Sequence, residues 1–193
     1  MLFRLGLLLA LTSAPVFAQQ VASDKAPAVP DYQQTIDAQF GSDFKLDPKF
    51  APIIADFDSD GAQDLVLVSI GKNPLGAQNL KNYKVIDPYD SYFGFGDPRV
   101  TTKFADFGDG SSHCLLVIHS YQAATPKAKF VIVNLPFEKL SQTITPFKKR
   151  TVPAISATEE GGLNANVFWD GKKYRWDPTD FSTDVHQVDL GAK

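Results

Sequence analysis

Residues 55–68 read A-D-F-D-S-D-G-A-Q-D-L-V-L-V, and this stretch decides the fold class. Its second half, Leu65–Val68, is continuously apolar, which is typical of a central strand covered on both faces. Its first half holds four aspartates and a glycine, residue types that favour a turn. The stretch therefore predicts a hairpin in which an acidic turn joins a strand over 51–55 to a buried strand over 65–70.

The same texture continues along the chain after residue 50. Short runs rich in Val, Ile, Leu, Phe and Tyr alternate with Gly, Asp, Asn and Pro, which indicates strands and turns. A short helix is predicted over 31–40 and a helical turn over 136–142. The apolar run Leu115–Ile118 predicts a second central strand, over 114–120. The remaining predicted strands cover 83–86, 100–105, 129–135, 145–152, 154–158, 164–169 and 172–176.

A weak internal repeat reduces the number of β architectures that fit the sequence. The stretch A-D-F-G-D-G-S-S-H-C-L-L-V-I at 105–118 aligns with 55–68 after one deletion, and N-V-F-W-D-G-K-K-Y-R-W at 166–176 predicts a third hairpin. Repeated hairpins suggest propeller blades or stacked β units, although a complete propeller usually needs more residues. We therefore expect a mainly β fold of antiparallel hairpins, arranged as propeller-blade-like repeats or as a small β-sandwich.

The N-terminus predicts export. Residues 1–18 combine Arg4, an apolar run and a small-residue exit ending at Ala18, the pattern of a cleavable signal peptide. We expect a flexible leader over 19–45, one β-rich domain over 46–180 and a C-terminal tail over 181–193. The mature protein is expected to be soluble and either periplasmic or extracellular.

Composition excludes some partners. The chain carries 19 basic and 22 acidic residues, a net charge of −3, which argues against nucleic acid as its main partner. No stretch after the signal peptide has the roughly 18 apolar residues that a membrane helix needs. Cys114 is the single cysteine, so no internal disulfide can form and stability must come from the core or from a metal.

The acidic turn has the spacing of a calcium loop. Ca²⁺ takes six to eight oxygen ligands, and alternate residues of a loop can point at one centre. Gly61 permits the reversal after the third carboxylate. Leu67 stands where an EF-hand would need glutamate, so the loop is not an EF-hand. The expected ligands are Asp56, Asp58, Asp60, the backbone carbonyl of Ala62, and Asp64.

The nine-residue pattern D-x-D-x-D-G-x-x-D between two strands resembles the calcium hairpins of FG-GAP/VCBS repeats. The match is confined mainly to 55–68 and is weaker at 93–118 and 166–176. The resemblance implies the same five ligand positions and blade-like β units. In the second copy Gly108 replaces a ligand and His113 replaces the closing carboxylate, so that loop is predicted to be a turn without an ion.

The histidines and the cysteine do not predict a catalytic site. His113 and His119 share a strand face about 20 Å apart, at roughly 3.3 Å per residue, while Cys114 points away. We expect a buried cysteine and two histidines on a polar face. The chain also lacks a G-x-S-x-G elbow, an H-E-x-x-H motif and a phosphate-binding glycine loop.

The last hairpin predicts an aromatic face. A two-residue Asp170-Gly171 turn would pair Trp169 with Lys172 and Val167 with Tyr174. Trp169, Tyr174 and Trp176 would then share one face with Val167. That face is either a possible ligand-binding surface that stacks on sugar rings or a face of the core.

Two functions are compatible with these features. The favoured one is an exported, soluble, β-rich binding or interaction module with a structural calcium hairpin of roughly 10⁻⁴–10⁻³ M affinity, typical of extracellular modules. Its partner would be a protein or a glycan. The alternative is a small metal-dependent hydrolase of a phosphoester or glycoside, which would need an open metal position and a nearby base. A histidine in a cleft beside the acidic loop would favour the alternative.

Overall fold

A computed structural model describes residues 31–94, 99 and 112–180. These ranges are mainly β, with predominantly antiparallel pairing, which confirms the predicted fold class. The helices are α1 (Tyr32–Gln39), α2 (Gln78–Lys81) and α3 (Pro88–Tyr92). The strands are β1 (Phe44–Leu46), β2 (Ile53–Ala55), β3 (Asp64–Gly71), β4 (Lys84–Ile86), β5 (Ser112–His119), β6 (Ala128–Ile132), β7 (Lys139–Phe147), β8 (Arg150–Thr158), β9 (Ala165–Trp169) and β10 (Tyr174–Pro178).

Several predictions lie outside the described residues. They are the signal peptide over 1–18, the first part of the leader, the strand over 100–105, most of the second acidic motif and the tail over 181–193. In the ranges that are described, no helix is long and apolar enough to cross a membrane.

The larger sheet has six strands in the order β1-β3-β5-β6-β4, and β2 also pairs with β3. Its pairs are antiparallel except for β4 with β6, which is parallel. β3 and β5 form its centre and pair over seven positions, from Leu65 opposite Ile118 to Gly71 opposite Ser112. The predicted central strands are therefore confirmed.

The smaller sheet is an antiparallel meander in the order β10-β9-β8-β7. The two sheets face each other across one core, and the described strands form no closed propeller. Side chains from both sheets meet in this core: Val66, Val68, Leu115 and Val117 from the larger sheet, and Ile155, Ala157, Val167, Tyr174 and Trp176 from the smaller.

The outer face of the larger sheet is buried as well. Ile36 and Phe40 at α1 and Phe44 on β1 pack against Leu65 and Leu116, together with Leu67 and Cys114. Successive residues of β3 and β5 therefore enter opposite cores. This is the physical reason why both strands are continuously apolar.

The folded part begins earlier than the predicted boundary at residue 46. Asp31 caps α1 by accepting a hydrogen bond from the backbone N–H of Gln34, at 3.1 Å. The side chain of Gln33 ties α1 to β1, because its Oε1 accepts from the backbone N–H of Leu46 at 2.8 Å. The predicted helix over 31–40 is present, and residues 31–45 belong to the packed domain.

The segment 136–152 was predicted wrongly in two places. The helical turn expected over 136–142 is absent, because β7 begins at Lys139 and pairs with β8 as far as Thr158. β7 is an edge strand with mostly exposed side chains, so it lacks the apolar signal of a strand. The single strand expected over 145–152 is interrupted by a turn at 148–149, where Lys148 has φ +57°.

Candidate metal centre

The acidic loop connects β2 to β3, and Ala55 pairs with Asp64 at its base. Two residues of the loop have positive φ, Ser59 at +59° and Gly61 at +88°. The glycine adopts this conformation without a steric cost, whereas the serine does not. The reversal expected at Gly61 is therefore present.

Three of the four predicted carboxylates converge. Asp56, Asp58 and Asp64 each offer an oxygen, and these oxygens lie within 4.8 Å of one another. Asp60 is not part of this trio. Its Oδ1 accepts a hydrogen bond from the backbone N–H of Ala62 at 2.8 Å, and its Oδ2 faces Lys127.

Hydrogen bonds within the loop hold Asp56 in place. Its Oδ1 accepts from the backbone N–H of Asp60 at 3.1 Å, and its Oδ2 accepts from that of Gly61 at 2.9 Å. A carboxylate oxygen has a further lone pair beyond the one used here. Asp56 therefore remains able to ligate a cation.

Asp64 links the hairpin to the centre of the larger sheet. Its side chain is fully buried, and one oxygen accepts from the backbone N–H of Phe57 at 2.8 Å. The other oxygen accepts from the backbone N–H of Ser120, just after β5, also at 2.8 Å. Burial raises the pKa of Asp64, while the hydrogen bonds from Ser120 and Phe57 oppose the rise. Asp64 thus has a structural role that does not depend on an ion.

Lys127 reaches the loop from the segment before β6. Its Nζ lies 2.7 Å from Asp58 Oδ2 and 2.8 Å from Asp60 Oδ2. The hydrogen bond from Lys127 lowers the pKa of Asp60 to about 2, with the N–H of Ala62 contributing. The same contacts raise the pKa of Lys127. Lys127 is not predicted by the sequence, since nothing local at 127 indicates a contact with a residue 69 positions away.

His119 connects the loop to the core. It is 1% exposed; its Nδ1 lies 3.2 Å from Asp58 Oδ2 and its Nε2 lies 2.7 Å from the Tyr174 hydroxyl. Burial lowers the pKa of His119, against the opposing effect of Asp64 and Asp58. A neutral imidazole protonated on Nδ1 accepts from the Tyr174 hydroxyl through Nε2 and places its Nδ1–H near the Asp58 carboxylate.

The expectation that both histidines lie on a polar face is wrong for His119. The β5 face that carries it packs against the smaller sheet, so its ring contacts Phe130 and Trp169 at centroid distances of 5.3 Å. His113, at the other end of β5, is exposed and lies 2.9 Å from Asp47 Oδ2. The two histidines therefore do not form one site. Cys114 is buried as predicted, and burial raises its pKa to about 12.

The register of the last hairpin differs from the prediction. Trp169 pairs with Tyr174 and Val167 with Trp176, leaving a four-residue loop over 170–173. Asp170 Oδ1 accepts from the backbone N–H groups of Lys172 and Lys173, at 2.8 and 3.0 Å, which stabilises the longer loop. The expected two-residue turn is therefore wrong.

Trp169, Tyr174 and Trp176 do share one face of the hairpin, as predicted, but that face belongs to the core. Tyr174 and Trp176 are 1% and 2% exposed, and Trp169 packs against the same cluster. Side chains this buried offer no surface on which a ligand could stack. Of the two interpretations of the face, the core interpretation fits the structure.

The acidic loop has a histidine beside it, but among the described residues this histidine is not available as a base. Both nitrogens of His119 are occupied within the protein, and the ring is closed off from solvent. A surface depression of about 240 Å³ does adjoin the loop, lined by Gly61, Ala62, Gln63, Ser120, Gln122 and Ala123. None of these side chains is a strong general base at neutral pH. Within the described residues, the loop therefore lacks a free histidine that could act as a base beside a bound ion.

A comparison with models of protein families finds no match. Comparisons with curated proteins and with solved structures find none either. The resemblance of the loop to the FG-GAP/VCBS hairpin therefore stays a prediction, carried by the residues of the loop alone.

Proposed function

We propose that this chain is an exported β-rich binding module whose β2–β3 hairpin holds one structural calcium ion. The observation that carries the proposal is the convergence of oxygens from Asp56, Asp58 and Asp64 within 4.8 Å, on a D-x-D-x-D-G-x-x-D spacing. Carboxylate oxygens are the ligands that a hard cation prefers.

The charge of the loop supports a second cation besides Lys127. The loop holds four carboxylates, and the Lys127 ammonium group contacts two of them, Asp58 and Asp60. Burial lowers the pKa of the neighbouring His119, which therefore adds no positive charge at neutral pH, so the carboxylates outnumber the cations that contact them within the described residues. Crowded like charges repel one another, and a bound divalent ion relieves that repulsion.

Lys127 does not block the site. It contacts Asp58 and Asp60 but not Asp56, and its side chain is about half exposed, at 52%. A long, exposed lysine side chain changes rotamer at little cost. An ion at the trio would therefore share Asp58 with Lys127 or displace it toward solvent.

The ion would act on stability. Asp64 already links the loop to Ser120 after β5, so a cation bound by Asp64, Asp56 and Asp58 would fix the hairpin against the larger sheet. A ligand that binds only the folded state stabilises that state by mass action. This would matter in a chain whose single cysteine cannot form an internal disulfide.

Calorimetric titration of the chelator-treated protein with Ca²⁺ tests the proposal. We expect one site per chain with a Kd of roughly 10⁻⁴–10⁻³ M and weaker binding of Mg²⁺, which demands stricter octahedral geometry. Asp56→Asn should abolish the binding heat. Asp37→Asn, an equivalent change at an exposed position of α1, should leave it intact. Equal titrations of both variants would reject the site.

Export rests on residues 1–18 and has its own test. The protein recovered outside the cytoplasm should begin at Gln19, as N-terminal sequencing would show. Recovery of the full-length chain in the cytoplasm alone would contradict this part of the proposal. The partner of the module is a protein or a glycan.

A further inference from the structure

Basic residues are concentrated at one end of the smaller sheet. Antiparallel pairing of Ala154 with Phe168 places the β7–β8 turn and the β9–β10 loop at the same end. These two connections and their flanking positions hold six of the 19 basic residues of a chain with a net charge of −3. We call them the basic end: Lys148, Lys149, Arg150, Lys172, Lys173 and Arg175.

Among the residues that the structure describes, most of these charges form no salt bridge. Within the described ranges, Arg175 is the single member of the basic end that forms a salt bridge, to Asp170 Oδ2 at 2.6 Å. The other five are exposed or half-buried. Burial raises the pKa of Asp170, but hydrogen bonds from the backbone of Lys173 and Lys172 and from Arg175 together lower it below its usual value. The basic end therefore keeps a large excess of positive charge.

Lys148 occupies a turn position with positive φ, where glycine or asparagine is usually favoured. Lys148 has φ +57°, a left-handed conformation that glycine or asparagine adopts at lower cost in a two-residue hairpin turn. Strained residues of this kind are concentrated at functional positions. The strain is consistent with a requirement for charge at this position.

Two grooves meet at the basic end, and they share Phe147. One, of about 470 Å³, is lined by Phe147, Lys148, Lys149, Arg150 and Asp170. The other, of about 340 Å³, includes Phe147, Tyr92, Lys173 and Arg175 in its lining, together with one carboxylate, Asp177. Because both linings include Phe147, the two grooves adjoin on a path from α3 to the β7–β8 turn.

Aromatic rings and cations lie side by side along this path. The rings of Phe147 and Phe168 are 5.1 Å apart between centroids. Lys148 Nζ and the Arg175 guanidinium carbon lie over the Phe147 ring, 5.0 and 5.7 Å from its centroid. Phe168 is 2% exposed and packs beneath Phe147, so the partly buried Phe147 ring is the one of the two that provides apolar contact area, and the cations beside it attract anions.

We infer that the basic end is a binding site for a linear acidic glycan, whose carboxylate or sulfate groups would meet the cations while a sugar ring packs on the partly buried Phe147. The inference rests on the proposed binding function and names its ligand class. Positive charge on an acidic protein, placed along a groove that includes the Phe147 ring, complements a ligand that alternates anionic groups with rings.

Two other polyanions fit less well. An anionic membrane is a broad surface rather than a chain, and a membrane-docking site usually adds exposed apolar side chains for insertion. Among described residues, Tyr92 is the one large exposed hydrophobic side chain that lines either groove, which is little apolar surface for insertion into a membrane. Nucleic-acid-binding domains are usually strongly basic, whereas this chain has a net charge of −3.

Retention of the full secreted protein on immobilised heparin and polygalacturonate tests the inference, with neutral dextran as the reference matrix. We expect binding to both acidic glycans at about 50 mM NaCl and its loss near 500 mM, because exposed charges are screened by salt. The double variant Lys148→Gln/Lys149→Gln should weaken binding by about tenfold, as the loss of two rim charges predicts. Lys45→Gln/Lys84→Gln removes equal charge from exposed positions of the larger sheet and should change binding less than about twofold.

Phe147→Leu separates stacking from charge. It keeps an apolar side chain but removes the ring, so we expect weaker binding with an unchanged salt dependence. Equal losses in the two double-lysine variants would overturn the inference, since they would show attraction by total charge alone. Tighter binding of phosphatidylglycerol vesicles or single-stranded DNA than of either glycan would overturn it too.

The calcium site and the glycan site can fail separately. Asp56→Asn removes a proposed calcium ligand far in sequence from the basic end, so it should leave glycan retention intact. Glycan binding without calcium binding would reject only the calcium hairpin. Calcium binding without glycan binding would reject only the acidic-glycan site.

Discussion

Replacing Asp64 with asparagine should destabilise the domain whether or not calcium is present. The carboxylate is fully buried and accepts hydrogen bonds from backbone N–H groups on opposite sides, Phe57 within the loop and Ser120 after β5. An asparagine side chain offers one acceptor oxygen and one amide group. Whichever way it is turned, the amide faces a backbone N–H that then has no acceptor.

The magnitude follows from the lost hydrogen bond at Asp64. A buried donor left without a partner costs about 1–3 kcal/mol, and the asparagine amide adds a second unpaired donor. Burying a neutral amide costs less than burying a carboxylate, an offset in keeping with the raised pKa of Asp64. We therefore expect a loss of about 2–3 kcal/mol in the free energy of unfolding. At roughly 3–4 °C per kcal/mol for a domain of this size, the melting temperature should fall by about 6–12 °C.

Thermal unfolding followed by circular dichroism in excess chelator measures this loss without any contribution from calcium. Asp56→Asn is the matched control, because Asp56 is a proposed ligand whose hydrogen bonds stay within the loop. In chelator, Asp56→Asn should lower the free energy of unfolding by less than about 1 kcal/mol, as expected for a partly exposed side chain. An Asp64→Asn protein that melts within about 1 °C of wild type in chelator would refute the reasoning, since it would leave no room for the lost hydrogen bond.

Three further predictions concern the groups around the loop. Tyr174→Phe leaves Nε2 of His119 without a donor and should cost about 1–2 kcal/mol by chemical denaturation; an unchanged unfolding midpoint would contradict the contact. Burial lowers the pKa of His119, so the unfolded chain binds more protons below pH about 6.5 and stability should fall as the pH drops from 7.5 to 5.5 in chelator. His119→Gln should flatten the dependence of stability on pH, whereas His113→Gln, at the exposed end of β5, should leave it unchanged. If His113→Gln flattened it and His119→Gln did not, His119 would be excluded as the cause. Lys127→Gln removes the ammonium group that contacts Asp58, so calcium affinity by titration should rise, and a fall would show that Lys127 assists the ion.

Features decided by short runs of sequence were predicted well. The apolar runs Leu65–Val68 and Leu115–Ile118 identified the two central strands, since residues that alternate between two cores must all be apolar. The grouping of Trp169, Tyr174 and Trp176 on one face was also correct, because it depends only on strand alternation.

Features decided by distant contacts were not predicted. Lys127 reaches Asp58 across 69 positions, and His119 meets Tyr174 across 55. No local pattern encodes such contacts. The burial of His119 follows from packing of the smaller sheet over β5, so its apparent place on a polar face was misleading. The edge strand β7 was missed for the opposite reason, since its side chains are mostly exposed and carry little apolar signal.

The melting temperature of the wild-type protein as a function of calcium concentration tests the central claim most directly. For a Kd of about 0.1–1 mM, 10 mM Ca²⁺ stabilises the folded state by about 1.4–2.7 kcal/mol, from RT ln(1 + [L]/Kd). The account predicts a rise of roughly 4–10 °C over the protein in chelator, and no rise for Asp56→Asn. Superimposable melting curves of the wild-type protein in 10 mM Ca²⁺ and in chelator would contradict it.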